Sequence, residues 1–267
     1  MNDLDFNVDK AVPWFIHNRE TPYVFVRVSE EHAKSWAEAL AVAFRQCYVT
    51  DATLEERATA LAVPKSDILA AVLPDPGSTM AGDFGELIVF IYQGAKTYPQ
   101  AVIGPKKWRL KQDRNKPAPY SDVIHFAVPH WPNASTEDIV FCSEVKTKST
   151  DSGSNPITNA IADCEKDRIS RLAKTLVWLK QRAMLEDLGS VTIEHLNRFI
   201  NATDYPTAKK VFRAVVIICS SLVDNELSNA PDGTSQDYTL VIISVPELQQ
   251  TYTSVFDAVR ATLTTCS

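Results

Sequence analysis

The sequence predicts an α/β fold in which helices flank a mixed β-sheet. Two observations support this prediction. From Ala81 onward, the segments follow the order helix, three strands, long helix, two strands, helix. The chain is 45% apolar, and its 267 residues suffice to bury a core without disulfides or a structural metal. No stretch approaches the run of about 20 apolar residues that a membrane helix requires, so no membrane contact is expected.

The first 77 residues are expected to form an accessory α+β region. Residues 21–29 (TPYVFVRVS) alternate apolar and polar side chains, as a strand does. Helices are predicted next over residues 29–46, 53–62 and 66–73. Pro74, Pro76 and Gly77 then break the chain. We therefore divide the chain into an N-terminal region, 1–77, and a core, 78–267.

The core is expected to begin with a buried helix over residues 81–92 (AGDFGELIVFIY). Its last six residues are apolar on nearly every side, so a strand is the alternative interpretation. The later strand-like segments are residues 106–111, 122–128, 138–148, 211–223 and 238–245. Helices are predicted over residues 157–188 and 192–201, and from residue 246.

Residues 138–148 (DIVFCSEVKTK) form the most informative strand-like segment. Side chains alternate along a strand, so Glu144 and Lys146 share one face, roughly 6.5–7 Å apart. Burial disfavours both charges unless they are paired or bind an ion. Asp122 opens the preceding strand. If these two strands form a hairpin with a loop over residues 129–136, Asp122 lies near Glu144.

Two carboxylates beside a lysine would form an oxygen-rich site that suits Mg²⁺ or Mn²⁺ rather than zinc. A metal ion there would polarise a phosphate, and Lys146 could orient the attacking water and stabilise negative charge. Glu86, beside Gly85 in the helix before these strands, is a candidate third carboxylate. A Glu-x-Lys tripeptide alone is a weak indication, because surface strands commonly pair these residues. The combination with Asp122 and Glu86 is what favours a catalytic site.

This order of segments resembles the PD-(D/E)xK nuclease superfamily and, more narrowly, the HamA family of nuclease subunits from Hachiman anti-phage defence systems. The resemblance lies in GDFGELIVFIYQ, SDVIHFAV and FCSEVKTK, followed by AIADCEKDRISRLAKTLVWL. It implies a restriction-endonuclease-like mixed sheet and metal-dependent cleavage of nucleic-acid phosphodiesters. It also implies that Asp122 and Glu144 hold the metal, that Lys146 assists the water, and that Glu86 matches the first-helix glutamate. Ser121 stands where the superfamily name has proline.

The net charge of −6 is unusual for a protein that coats nucleic acid, so any DNA contact must use a local basic patch or a partner. Residues 106–116 (KKWRLKQDRNK) carry six basic residues against one acid. We expect this segment to cradle a phosphate backbone near the metal. The side chains expected to bind DNA are Lys106, Lys107, Arg109 and Lys111. Trp108 is expected to pack in the core rather than stack on a base.

The leading hypothesis is a Mg²⁺- or Mn²⁺-dependent DNA endonuclease or nickase that acts as effector of a two-component anti-phage system. The resemblance implies a HamB-like helicase as the partner, and the sequence itself has no GxxxxGK(S/T) loop for ATP hydrolysis. The rival hypothesis is a non-catalytic adaptor that docks on a helicase and holds DNA. The polar N-terminus and five scattered cysteines indicate a cytoplasmic protein with reduced, buried thiols.

Overall fold

A computed structural model describes residues 4–201 and 203–263, in which six strands form one mixed sheet between two layers of helices. The strands are β1 (Ile16–Arg19), β2 (Val24–Arg27), β3 (Val123–Ala127), β4 (Ile139–Lys148), β5 (Lys209–Cys219) and β6 (Thr239–Val245). Their order across the sheet is β1-β2-β6-β5-β4-β3. The three pairs β2–β6, β6–β5 and β5–β4 are parallel, whereas β1–β2 and β3–β4 are antiparallel. The predicted α/β class with a mixed sheet is confirmed.

The helices begin where the sequence provides side-chain caps. Ser29 accepts a hydrogen bond from the His32 amide, and Thr192 accepts one from the His195 amide, so each satisfies a free donor of the first turn. The helices are α1 (Glu30–Tyr48), α2 (Asp51–Leu61), α3 (Lys65–Val72), α4 (Ser78–Thr97), α5 (Pro156–Lys166), α6 (Leu172–Ala183), α7 (Ile193–Ile200), α8 (Val223–Leu227) and α9 (Leu248–Ala261).

The sheet separates two hydrophobic cores, because the side chains of a central strand alternate between its faces. In β5, Val215 and Ile217 join the core formed with α1, α4 and α9. Ala214 and Val216 join the opposite core, formed with α5, α6 and α7. Every one of these four side chains is fully buried, as expected for a central strand covered on both faces.

Two predicted elements differ from the structure. Residues 106–111 are not a strand. They contain a short 3-10 helix, Lys107–Leu110, whose side chains point into the protein. The single long helix predicted over residues 157–188 is interrupted by a five-residue π-helical segment, Asp167–Arg171, between α5 and α6. The helix over residues 81–92 is confirmed as α4, so the alternative strand interpretation is wrong.

The division of the chain at residue 77 stays a prediction. In the structure, β2 from the first part pairs with β6 from the second, and Trp36 packs against Phe84 in one core. The four described cysteines are buried and form no disulfide with one another, and Cys266 lies outside the described residues. None of the described helices has the length and apolar character needed to cross a membrane.

Candidate functional site

The antiparallel pairing of β3 with β4 brings Asp122 and Glu144 together. Val123 lies opposite Ser143 in the antiparallel ladder. Asp122, one residue before Val123, therefore lies opposite Glu144, one residue after Ser143. The Asp122 carboxylate is fixed by the β4 backbone, because its Oδ2 accepts a hydrogen bond of 2.8 Å from the Val145 amide. The predicted hairpin and the proximity of these two carboxylates are therefore confirmed.

The two carboxylates perturb each other electrostatically. Burial and then the Asp122 charge raise the pKa of Glu144 to about 7. Burial likewise raises the pKa of Asp122, although the Lys107 ammonium and the hydrogen bond from the Val145 amide lower it. Because the ionised forms of both acids are disfavoured, an added cation that binds the carboxylates would favour their ionisation.

Glu86 approaches the same aspartate from α4, on the other side of the strand pair. Burial, followed by the charges of Asp122 and Asp83, raises the pKa of Glu86 well above its ordinary value. No hydrogen bond reaches its carboxyl group from the residues that the structure describes. Gly85 allows this close packing, because a Cβ there would collide with the Thr147 side chain of β4. Glu86 is therefore close enough to Asp122 for the Asp122 charge to affect its ionisation.

Lys146 lies beside Glu144, as the alternation along the strand predicts. Its Nζ donates to Glu144 Oε1 at 2.8 Å and forms an ion pair of 2.7 Å with Asp163 Oδ2 in α5. Burial lowers the pKa of Lys146, but the hydrogen bonds to Asp163 and Glu144 outweigh that effect and raise it. Lys146 is therefore a stable cation in this site and not a proton acceptor.

Sequence reasoning missed three charged side chains that complete the site from the helix after β4. Asp163 binds Lys146, and Arg171 forms an ion pair of 3.0 Å with Glu144 Oε2. Asp167 is buried next to them, and burial followed by the Glu144 charge raises its pKa to about 6. The available signal was the spacing of four between residues 163, 167 and 171, which places them on one helix face.

Ser121, at the position of the superfamily proline, ties Asp122 to the π-helical segment. Its hydroxyl donates to Asp167 Oδ1 at 2.8 Å, and its amide donates to Thr175 Oγ1 at 3.2 Å. Lys107 Nζ donates to the Ser121 carbonyl and, at 3.3 Å, to the Asp122 carbonyl. These bonds hold the backbone that carries the Asp122 carboxylate, so the serine has a structural role of its own.

The expectation that Lys106 and Lys107 face DNA is wrong, because their side chains are inside the protein. Lys106 is 1% exposed and donates to the Gly104 carbonyl at 2.8 Å, with its ammonium over the Phe90 ring. Lys107 is 2% exposed and supports the backbone at Asp122. Trp108 packs edge-on against Phe90, so its predicted place in the core is confirmed.

Arg109 and Lys111 are also turned inward, so the expectation of an exposed basic surface is wrong for them too. Arg109 donates to the Gln46 carbonyl and to Asp187 Oδ2, each at 2.7 Å. Lys111 donates to Asp83 Oδ2 at 2.8 Å, and the side chains of Lys111 and Asp83 are each 3% exposed. The four basic residues from Lys106 to Lys111 bind acids of the protein or backbone carbonyls instead of forming a surface for phosphates.

The donor set at Asp122 and Glu144 fits a hard divalent cation. Both candidate ligands are carboxylates, Glu144 is buried and Asp122 is half-buried, and positive charge between them would relieve their repulsion. Among the described residues, no group of three or more His, Cys, Asp or Glu side chains is arranged to hold a metal ion. Mg²⁺ is compatible with that arrangement, because it commonly takes one or two carboxylates and completes its shell with water and substrate phosphate.

Comparison with known proteins identifies the family of this chain. No curated protein matches it. A family model described as HamA matches nearly its whole length, including every element that contributes to the candidate site. The chain therefore belongs to the HamA family, the family of the Hachiman defence component, whose model covers residues 10–259 of its 267.

Proposed function

We propose that this protein is a divalent-cation-dependent deoxyribonuclease, an endonuclease or nickase, and the effector of a two-component anti-phage system with a HamB-like helicase. The observation that carries the proposal is the hydrogen bond that fixes Asp122 opposite Glu144, with Lys146 two residues further on the same face. Placing two repelling carboxylates beside a lysine in a strand pair costs stability, and titratable groups perturbed in this way cluster at functional sites.

The residues have separate roles in this proposal. Asp122 and Glu144 would hold Mg²⁺ or Mn²⁺, which polarises a phosphodiester and lowers the pKa of a bound water. Lys146, which stays protonated, stabilises the negative charge that develops on the phosphate and orients the water. Glu86 is the third carboxyl group of the proposed site and approaches Asp122 from α4. Asp163 is a positioning residue, because it holds the Lys146 ammonium toward Glu144.

Dependence on a helicase follows from the charges around the site. Lys166 pairs with Asp163, and Arg168 pairs with Glu165. Cations that are already neutralised by protein acids contribute little to backbone binding, so intrinsic affinity for DNA is expected to be low. A partner that binds DNA would supply the missing affinity and thereby restrict cleavage to engaged DNA. Unrestrained cutting of host DNA by the resting complex would contradict this regulation.

The test is cleavage of supercoiled plasmid in Mg²⁺ by the protein alone and with its helicase and ATP. Glu144→Gln and Lys146→Ala should each lower the rate by at least about 100-fold, since the first removes a carboxylate that would hold the metal and the second removes a cation that stabilises the reacting phosphate. Glu165→Gln is the matched control, because Glu165 is an exposed glutamate on α5 that pairs with Arg168 outside the site. Equal cleavage by wild type and all three variants would show that Glu144 and Lys146 do not form the catalytic site.

The rival adaptor function remains distinguishable in the same assay. An adaptor needs DNA binding and helicase docking but no ionisable cluster at Asp122, Glu144 and Lys146. It predicts no cleavage by the wild-type complex under any condition, with DNA binding intact. The repelling carboxylates, one buried and one half-buried, favour the nuclease, because apolar residues at these positions would serve an adaptor with greater stability.

A further inference from the structure

Arg171 holds a central place among the acids of the candidate site. Its guanidinium pairs with Glu144 Oε2 at 3.0 Å, Asp167 Oδ1 at 3.5 Å and Asp163 Oδ1 at 3.7 Å. Its side chain is 22% exposed, so it lies at the surface of the site and not beneath it. Of the described residues, Lys146 and Arg171 are the two basic side chains that contact Glu144.

The backbone at Arg171 is also unusual. The π-helical segment Asp167–Arg171 ends at this residue, and the Leu172 amide bonds the Asp167 carbonyl, one residue further back than in an α-helix. π-helical turns within α-helices occur frequently at functional sites. Here the turn carries both Asp167, which anchors Ser121, and Arg171, which reaches Glu144. A regular α-helix in place of this π-helical segment would change the direction of the Arg171 side chain relative to that of Asp167.

We propose that Arg171 is a phosphate-binding residue of this site, which Glu144 and the two aspartates hold in position until DNA arrives. This inference rests on the proposed nuclease function. A phosphodiester that approaches Asp122 and Glu144 meets negative charge and requires a cation that can turn toward it. Lys146 is fixed by two short ion pairs, of 2.7 and 2.8 Å.

The guanidinium of Arg171 is better suited to change its partner. Two of its three ion pairs are long, at 3.5 and 3.7 Å, and a part-exposed pair of that length contributes little free energy. A guanidinium also presents a planar fork that can bind two phosphate oxygens at once, which an ammonium cannot do. Arg171 can therefore leave the two aspartates with little loss, and the partner that a phosphate must replace is Glu144, at 3.0 Å.

The experiment measures binding of a short fluorescent DNA duplex, with Ca²⁺ in place of Mg²⁺, over a series of salt concentrations that begins at low ionic strength. Arg171→Ala should weaken binding by about tenfold, the loss expected for one charged hydrogen bond. It should also reduce the slope of log K against log salt by about 1. Arg171→Lys keeps the charge but loses the fork, so the slope should return to the wild-type value while affinity stays lower.

Arg182→Ala is the matched control. Arg182 lies in α6, about 16 Å further along the helix, pairs with Glu186 and is 25% exposed. It should leave affinity and slope unchanged. If wild type binds duplex but Arg171→Ala alters neither quantity, this inference is overturned and the proposed function survives. If wild type fails to bind duplex even at low ionic strength, this inference is overturned, whereas the proposed function, in which the helicase supplies DNA affinity, is decided by plasmid cleavage with the helicase.

Discussion

Replacing Lys111 with methionine should lower the free energy of unfolding by about 3–4 kcal/mol at pH 7. Lys111 and Asp83 form a buried ion pair, each side chain being 3% exposed, and Tyr48 donates a third hydrogen bond to Asp83 at 2.7 Å. Methionine keeps the apolar stem of the lysine but leaves the carboxylate without its counter-charge. Breaking one side of a buried pair typically costs about 3–5 kcal/mol.

Protonation of Asp83 sets an upper limit to this cost. In the variant, the Asp83 carboxyl group can avoid an unpaired buried charge by taking up a proton. The ordinary pKa of an aspartate is 3.8, and protonating it costs about 1.36 kcal/mol for each unit by which the pH exceeds that value. That limit is about 4.4 kcal/mol. In the variant, the folded state then binds one proton more than the unfolded state does. The deficit should therefore shrink by about 1.4 kcal/mol for each pH unit below 7.

Urea unfolding of wild type and Lys111→Met at several pH values measures both quantities. Asp83→Asn added to Lys111→Met should recover most of the loss, because no charge is then left unpaired. A deficit below about 1 kcal/mol that does not change with pH would refute the reasoning. A loss of DNA affinity at unchanged stability would instead restore Lys111 as a DNA-binding residue.

Three further predictions test the packing and the titration of the core. Gly85→Ala should lower stability by about 1–3 kcal/mol through collision with Thr147, whereas Gly82→Ala, with open space, should raise it by up to about 1 kcal/mol in thermal melts. Burial, with Lys106 adding to it, lowers the pKa of His125 well below 6.5. Wild type should therefore lose stability as pH falls below about 6.5, and His125→Phe should lose less. A fragment of residues 78–267 lacks the strand that pairs with β6 and should not fold stably alone.

The motif acids illustrate what local patterns can predict. Alternation along β4 was enough to place Glu144 and Lys146 on one face, and a short loop between two strand-like segments was enough to bring Asp122 opposite Glu144. Both inferences depend on geometry over a few residues, which the chain determines locally. The helix over residues 81–92 was predictable for the same reason. A strand was the alternative, because a uniformly apolar run does not distinguish a buried strand from a buried helix.

The basic segment shows where local reasoning fails. Lysines and arginines in a row are usually exposed, so residues 106–111 suggested a DNA surface. Their burial depends on acids and carbonyls from distant parts of the chain: Asp83 for Lys111, Gln46 for Arg109 and Ser121 for Lys107. No pattern within residues 106–111 indicates which distant residues will bind these side chains.

Local spacing therefore sufficed for the α/β class and for a pair of acids with a lysine, because each depends on neighbours in the chain. The contribution of Asp163, Asp167 and Arg171 was decided by the packing of the helix after β4 on the sheet. A charged side chain is buried at low cost only where other elements supply a counter-charge or hydrogen-bond partners, and that requires the assembled tertiary structure.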